Sequence, residues 1–179
     1  METLKIISIV ILVIIALPLI IALFIKKSYS IERETIINKP KQFVFEYIKF
    51  LKNQNKFSKW ASMDPEMKLT FSGTDGSVGF ISAWDSDKKN VGKGEQTIKS
   101  IAEGEKIEYD IHFIKPFEGK AIASMTTIQI SDNLTKVTWQ LQSSMNYPMN
   151  FMLLFMNMEK MIGDDLSVGL ANLKKILEQ

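Results

Sequence analysis

The sequence predicts an α+β domain in which an antiparallel sheet bends around a long C-terminal helix, preceded by one transmembrane helix. Three observations support this fold class. Six short β-rich runs follow one another between Glu66 and Met145, separated by turn clusters of hairpin length. The chain after them is amphipathic with helical periodicity. A long apolar run without charge stands near the N-terminus.

The composition excludes several classes of function. The chain has 179 residues, one His, no Cys and a net charge of +2. Cys nucleophiles, thiolate metal sites and clusters of His ligands are therefore absent, and only His112 could serve a Ser-His-Asp triad. Arg33 is the only Arg among 22 basic residues. The guanidinium groups that would form bidentate hydrogen bonds with phosphate or nucleic-acid bases are therefore scarce. We expect no metal, no cofactor and no nucleic acid as a partner.

The apolar run extends from Ile6 to Ile25 and contains 20 residues without a charge. At about 1.5 Å rise per residue, such a helix spans roughly 30 Å, which is the thickness of the hydrocarbon core. A signal peptide has a shorter apolar region that ends in a small-residue cleavage site. We therefore predict a single-pass anchor and linker over residues 1–29 and a globular domain over residues 30–179. The basic flanks favour a cytoplasmic domain by about one charge.

The globular part opens with a strand and two helical segments. Ser30–Ile37 alternates in the manner of a strand, and Asn38 before Pro40 is a plausible helix start. A second helical turn is predicted around Gln54–Trp60, ending at Asp64-Pro65. The apolar stripe of the first helix comprises Phe43, Val44, Tyr47, Ile48 and Leu51.

The predicted strands are apolar on one face and polar on the other, which is typical of a sheet covered on one side only. Glu108, Asp110 and His112 lie on the polar face. The apolar face comprises Phe80, Trp84, Ile107, Tyr109, Ile111, Phe113, Val137, Trp139 and Leu141.

The predicted cover is one long helix that follows Tyr147-Pro148 and continues to the C-terminus. A bent sheet around a single helix tends to leave a cavity between the two. The methionines from Met145 to Met161 suit either the wall of such a cavity or an ordinary core. The inward stripe comprises Phe151, Phe155, Met158, Ile162, Leu166, Gly169, Leu173 and Ile176.

The order of these elements and a set of short matching segments indicate a family. The segments are Ile37-Asn38-Lys39-Pro40, Phe43-Val44-Phe45, Trp60, Met63-Asp64-Pro65, Gly73, Gly79, Trp84, Val91-Gly92-Lys93-Gly94, Thr135-Lys136-Val137-Thr138-Trp139, Met161-Ile162-Gly163 and Gly169-Leu170-Ala171-Asn172-Leu173-Lys174-Lys175. From Ser30 to Glu178 the chain resembles the START-like (SRPBCC) superfamily, in its polyketide cyclase/dehydrase and lipid-transport branch. The resemblance implies a START/Bet v 1-like helix-grip domain with a hydrophobic tunnel between the C-terminal helix and the sheet. Members bind lipids, sterols, polyketides or hormones, and only some are enzymes, so the resemblance does not assign an activity.

We predict a binding site in this tunnel and assign no catalytic residue. Tyr109 could bind a ligand oxygen through its hydroxyl or find a backbone partner. A buried Asp165 would have a raised pKa, whereas an edge position would leave it solvated. His112 fits a solvated sheet residue better than a general base. The candidates for the tunnel wall are Trp60, Phe80, Trp84, Tyr109, Ile111, Met125, Trp139, Phe155, Met158, Ile162 and Asp165.

Three functions are compatible with these features. The first is a membrane-anchored domain that binds a small hydrophobic molecule or lipid. The second is an enzyme of the cyclase or dehydrase type that uses Tyr109, Asp165 or His112 as acid or base. The third is a protein-interaction module similar to the Hsp90-activator relatives of the superfamily, which predicts a filled core and an exposed apolar patch.

Overall fold

The computed structural model describes residues 1–179 and confirms the predicted α+β fold class. The helices are α1 (Glu2–Ala22), α2 (Lys41–Lys49), α3 (Leu51–Phe57), α4 (Lys59–Met63) and α5 (Met158–Leu177), with a 3₁₀ helix at Met149–Leu154. The strands are β1 (Ser28–Ile37), β2 (Lys68–Ser72), β3 (Ile81–Asp85), β4 (Lys93–Ala102), β5 (Lys106–Lys115), β6 (Gly119–Ser131) and β7 (Leu134–Ser144).

All seven strands form one antiparallel sheet in the order β1-β7-β6-β5-β4-β3-β2. The strands β2 to β7 form the predicted meander, because each one pairs with its neighbour in sequence. The opening strand β1 returns to the far edge and pairs with β7. Helices α2, α3 and α4 therefore connect the two edge strands of the sheet.

The register defines an end of the sheet that lies next to α1, here called the α1-proximal end. Strand β1 begins at Ser28, shortly after α1 ends at Ala22. The paired residues Ser28↔Ser144, Ala121↔Ser143, Phe113↔Gly119, Lys93↔Lys115, Asp85↔Lys93 and Lys68↔Asp85 lie along this end. The opposite end carries the β2–β3, β4–β5 and β6–β7 connections.

The core lies between the apolar face of the sheet and the C-terminal half of α5. The α5 side chains that fill it are Leu166, Leu170, Leu173 and Leu177, all of them buried. They pack with sheet residues of the predicted apolar register, such as Trp139 at 1% exposure. The opposite register is partly solvated, as expected for His112 and its neighbours.

Two glycines allow α5 to approach the sheet closely. A Cβ at Gly169 would lie 2.7 Å from Cζ3 of the buried Trp139, and a Cβ at Gly163 would overlap the guanidinium of Arg33. Arg33 in turn donates to the Glu159 carboxylate at 2.7 Å and to the Glu159 carbonyl at 3.2 Å. These contacts fix the beginning of α5 against β1.

The prediction of one continuous C-terminal helix is wrong. The chain forms a 3₁₀ helix up to Leu154 and starts α5 only at Met158, where the side chain of Asn157 accepts a hydrogen bond from the Lys160 amide at 2.9 Å. Asn is a strong helix N-cap, so a new helix begins there. As a result Phe155 leaves the inward stripe and is 76% exposed.

Two smaller expectations are also corrected. The N-terminal helix runs from Glu2 to Ala22 rather than from Ile6 to Ile25, because the chain tightens into a turn after Ala22. In α2 the buried stripe includes Phe45, whereas Phe43 is 51% exposed.

We expect Gly169→Val to destabilise the protein. The new side chain would press on Trp139, which is too deeply buried to move aside. Overpacking of this kind costs about 1–3 kcal/mol, whereas the gain in helix propensity over Gly is only a few tenths of a kcal/mol. Urea unfolding of the full chain in mild detergent measures the change in the free energy of unfolding. The matched control is Gly119→Val, since a Cβ at Gly119 meets nothing within 4 Å. Equal stability of the two variants would contradict the close packing of α5.

Candidate functional site

The side chains leave a cavity of about 310 Å³ between the sheet, helices α3 and α4, and the beginning of α5. Of the 20 residues that line it, 15 are hydrophobic, and none is acidic, basic or histidine. Small-molecule sites in proteins are typically concave, mostly apolar and upward of about 300 Å³ in volume. The cavity therefore has the character of a site for an uncharged apolar molecule.

The strands that form the cavity wall contribute residues from the α1-proximal end of the sheet. Tyr29 of β1, Leu141 of β7, Ala123 of β6, Phe113 of β5 and Trp84 of β3 belong to the wall. Successive residues of a strand point to opposite faces, so only the inward register reaches the cavity. The site thus lies at the end of the domain that is nearest to α1.

All three tryptophans of the chain line this cavity. Trp60 meets Trp139 edge to face, with ring centroids 6.1 Å apart. Trp84 meets Phe113 in the same way, also at 6.1 Å. These arrangements hold the rings in defined positions. The intrinsic tryptophan fluorescence of the protein therefore comes entirely from the cavity wall.

A pair of amides provides a polar point in the apolar wall. Gln96 Nε2 donates to Gln54 Oε1 at 3.1 Å, and both residues line the cavity. Ser82 pairs with Gln96 across β3 and β4 and lines it as well. An amide pair uses one carbonyl and one N–H, so a further carbonyl oxygen and amide hydrogens remain, whichever way the amides are assigned. The wall can thus hydrogen-bond a neutral group of a ligand.

The structure brings six of the predicted tunnel residues together and leaves five outside. Those that line the cavity are Trp60, Trp84, Ile111, Trp139, Met158 and Ile162. Phe80 and Met125 are buried in the core away from the wall, and Phe155 is exposed on the surface. Tyr109 and Asp165 also lie outside the wall. That the lining residues bind a ligand stays a prediction.

The Tyr109 hydroxyl has neither of the two partners considered for it. The side chain is completely buried, does not line the cavity, and its hydroxyl makes no hydrogen bond. Burial raises the pKa of Tyr109, and the nearby Asp75 charge raises it further. The hydroxyl therefore stays protonated and is a poor candidate for proton transfer to a bound molecule.

Asp165 and His112 lie apart from the cavity and from each other. Asp165 is half-buried on α5, and burial raises the pKa of its carboxyl, while the Lys59 charge opposes this and Asp164 adds to it. His112 lies on the polar face as predicted, with Nε2 3.3 Å from Glu118 Oε1. The proposed acid–base residues therefore do not converge on a common ligand position.

Sequence reasoning missed the polar members of the wall. Gln96 has a readable signal, because it alternates with Gly94 and Ile98 in β4 and thus shares their inward register. An inward-facing Gln between apolar positions indicates a polar point inside a core. Gln54 and Tyr29 carry no comparable signal, since one lies on a short helix and the other where the linker meets β1.

No protein-family model matches the chain, and no curated protein matches it either. Several solved structures share its fold. Norcoclaurine synthase from Thalictrum flavum, solved in complex with dopamine and hydroxybenzaldehyde, is 9% identical with a TM-score of 0.61, over 83% of this chain and 86% of that chain. The protein Ara h 8.0201 is 12% identical with a TM-score of 0.55, over 85% and 99% of the two chains. A protein from Thermus thermophilus is 15% identical with a TM-score of 0.59, over 83% and 97%.

These neighbours show the fold. The globular part of the chain has the START/Bet v 1-like helix-grip architecture, with a curved antiparallel sheet and a long C-terminal helix. Proteins with this architecture include ligand binders and enzymes, so the fold alone does not choose between these functions. That choice depends on what the cavity wall of this chain presents.

The raised pKa of Asp165 predicts a pH-dependent cost. When the pKa of a carboxyl is higher in the folded state, the free energy of unfolding of the protein falls as the pH rises. The fall begins at the ordinary Asp pKa, about 3.9, and ends above the raised folded-state pKa. We expect Asp165→Asn to be more stable than wild type above this window and equal to it below. Urea unfolding over an acidic to neutral pH series measures the difference. Asp132→Asn in the exposed β6–β7 turn is the control, and a pH-independent difference at Asp165 would contradict the assignment.

Proposed function

We propose that this protein is a membrane-anchored binding module that holds a small hydrophobic molecule or lipid between its sheet and α5. The observation that carries the proposal is the cavity of about 310 Å³, whose wall is apolar apart from a few neutral polar groups. The same wall presents no carboxylate, amine or imidazole that could act as acid or base. Binding therefore has more support than the cyclase or dehydrase alternative.

The protein-interaction alternative receives less support. It predicts a core filled by side chains and an exposed apolar patch. A patch is present, since Leu154 and Phe155 are exposed. The core, however, is not filled, because the wall residues leave open space between the sheet, α3, α4 and α5. The polar Gln54 and Gln96 are also hard to explain in a core that serves packing alone, because polar side chains are costly to bury there.

The N-terminal helix supports the membrane part of the proposal. Helix α1 is long and apolar enough to cross a bilayer, and the rest of the protein buries none of its most apolar 18-residue stretch. A core helix would be covered, and a signal sequence is usually shorter in its apolar part. The anchor would concentrate the domain beside molecules that partition into the bilayer. The basic residues after α1 favour a domain on the cytoplasmic side.

The wall also limits the chemistry of the ligand. A carboxylate or ammonium in this cavity would have no opposite charge to compensate for its desolvation. A hydroxyl, ester or amide could instead hydrogen-bond to the Gln54–Gln96 pair. We therefore propose a neutral amphiphile with one polar group and a volume that fits about 310 Å³, such as a medium-length fatty alcohol.

Tryptophan quenching provides a direct test of binding in the cavity. We expect terminally brominated dodecanol to quench the fluorescence of the full chain in nanodiscs, since every Trp lies in the wall. Ala61→Phe adds bulk inside the wall and should raise the Kd obtained from the quenching curve at least about tenfold. Ala171→Phe places the same bulk on the exposed face of α5 and should leave it unchanged. Equal quenching of both variants would show that the alcohol does not bind in the cavity.

Ligand charge and the Gln pair give a second test. At neutral pH the brominated dodecanol should bind at least about tenfold more tightly than the brominated dodecanoate, because the carboxylate would enter uncompensated. Gln96→Leu should weaken binding of the alcohol about 2- to 12-fold and leave binding of bromododecane unchanged, since a neutral hydrogen bond contributes about 0.5–1.5 kcal/mol. Tighter binding of the dodecanoate would contradict the proposed ligand class.

A further inference from the structure

The stretch from Tyr147 to Asn157, here called the apolar segment, contains no charged residue and is widely exposed. It comprises the 3₁₀ helix and the turn that leads into α5. The large apolar side chains that it presents at the surface are Met149 at 50%, Met152 at 41%, Leu154 at 56% and Phe155 at 76% exposure. A cluster of this kind on a protein surface marks an interaction site.

A buried side chain fixes the apolar segment to the end of α1. Asn150 is completely buried, and its Nδ2 donates to the carbonyls of Ala22 at 2.7 Å and Ile25 at 3.1 Å. The last carbonyls of a helix have no partner within the helix, so Asn150 satisfies groups that α1 leaves open. The segment therefore lies where α1 ends and cannot move independently of it without losing these bonds.

We propose that the apolar segment docks on the bilayer surface beside the exit of α1, with its Met, Leu and Phe side chains inserted among the lipids. This inference rests on the proposed role of α1 as a membrane anchor. A helix that leaves the hydrocarbon at its last turn places anything bonded to that turn at the membrane interface. The exposed Lys26 and Lys27 lie four and five residues after the end of α1 and suit an anionic headgroup layer.

Continuity with α1 favours the bilayer over a second copy of the chain. The exposed surface of α1 continues through Leu23 at 64% and Phe24 at 84% exposure, next to the carbonyls that Asn150 binds. Apolar side chains in that position face the lipid that surrounds the anchor, whatever the oligomeric state.

Docking of this segment orients the ligand cavity. The segment leads directly into Met158, which lines the cavity together with Ile162, and Tyr29 lines it from the beginning of β1. The cavity wall is thus connected to the apolar segment through Met158 of α5, and to the end of α1 through Tyr29 of β1. A ligand would exchange between the bilayer and the cavity over a short path beside α1.

Single-cysteine labelling tests the proposal in the full chain, which has no native Cys. An environment-sensitive fluorophore is attached to the thiol of Ile14→Cys in α1, Phe155→Cys in the apolar segment, or Val78→Cys. Val78 is 63% exposed in the β2–β3 connection at the opposite end. Each variant is reconstituted in phosphatidylcholine–phosphatidylglycerol vesicles with and without brominated acyl chains. We expect quenching by the brominated lipid at Ile14 and Phe155, and none at Val78.

The three labels separate failure of this inference from failure of the anchor. Quenching at Ile14 without quenching at Phe155 would overturn the docking of the segment and leave the anchor in place. A blue-shifted but unquenched label at Phe155 would identify a protein contact, such as a second copy, and would also overturn it. Absence of quenching at Ile14 would overturn both the anchor and the inference.

The role of Asn150 is tested in the same assay. Asn150→Ala removes both bonds to α1 and should reduce quenching at Phe155 while leaving quenching at Ile14 unchanged. Asn146→Ala, an exposed Asn one turn earlier, is the matched control and should change neither signal. An unchanged far-UV circular dichroism spectrum and urea unfolding midpoint would show that the Asn150→Ala variant remains folded. Unchanged quenching at Phe155 in that folded variant would overturn the role of Asn150 in holding the segment at the membrane.

Discussion

The close approach of α5 to the sheet is the constraint on which the rest of the structure depends. It requires glycine at two positions of the helix, because Gly169 faces the ring of Trp139 and Gly163 lies beneath the guanidinium of Arg33. Arg33, the only arginine, then secures the beginning of α5 through Glu159. The first contact holds the helix by packing, and the second holds it by charge-assisted hydrogen bonds.

The cavity follows from this arrangement. The C-terminal half of α5 contributes four leucines to the core, whereas its first turns contribute only Met158 and Ile162 to the cavity wall. The open space is closed by the short helices α3 and α4 instead of by a second long helix. The cavity therefore lies at the α1-proximal end of the sheet. Its wall favours neutral molecules because charges there would be buried without compensation.

Much of the fold could be predicted because the alternation of apolar and polar residues reveals the two faces of a strand. The register that places Tyr109, Ile111 and Trp139 inward was readable, and the hairpin turns set the order of the meander. The break before α5 was missed because the apolar periodicity continues through Phe155 and masks the N-cap signal of Asn157. The tertiary bond from Asn150 to α1, which also holds the segment, leaves no mark in the local pattern. Burial alone also did not separate the wall from the core: Trp139 lines the cavity, whereas the equally buried Met125 does not.

The measurement that tests this account most directly is native mass spectrometry of the full chain released from detergent, followed by solvent extraction of the molecules that co-purify. The account predicts one neutral amphiphile per chain, with loss of that mass in a variant whose cavity is filled. A protein that carries no such molecule, and that takes up none when offered brominated dodecanol, would contradict the claim that the cavity is a binding site. It would assign the open space between α5 and the sheet to packing alone.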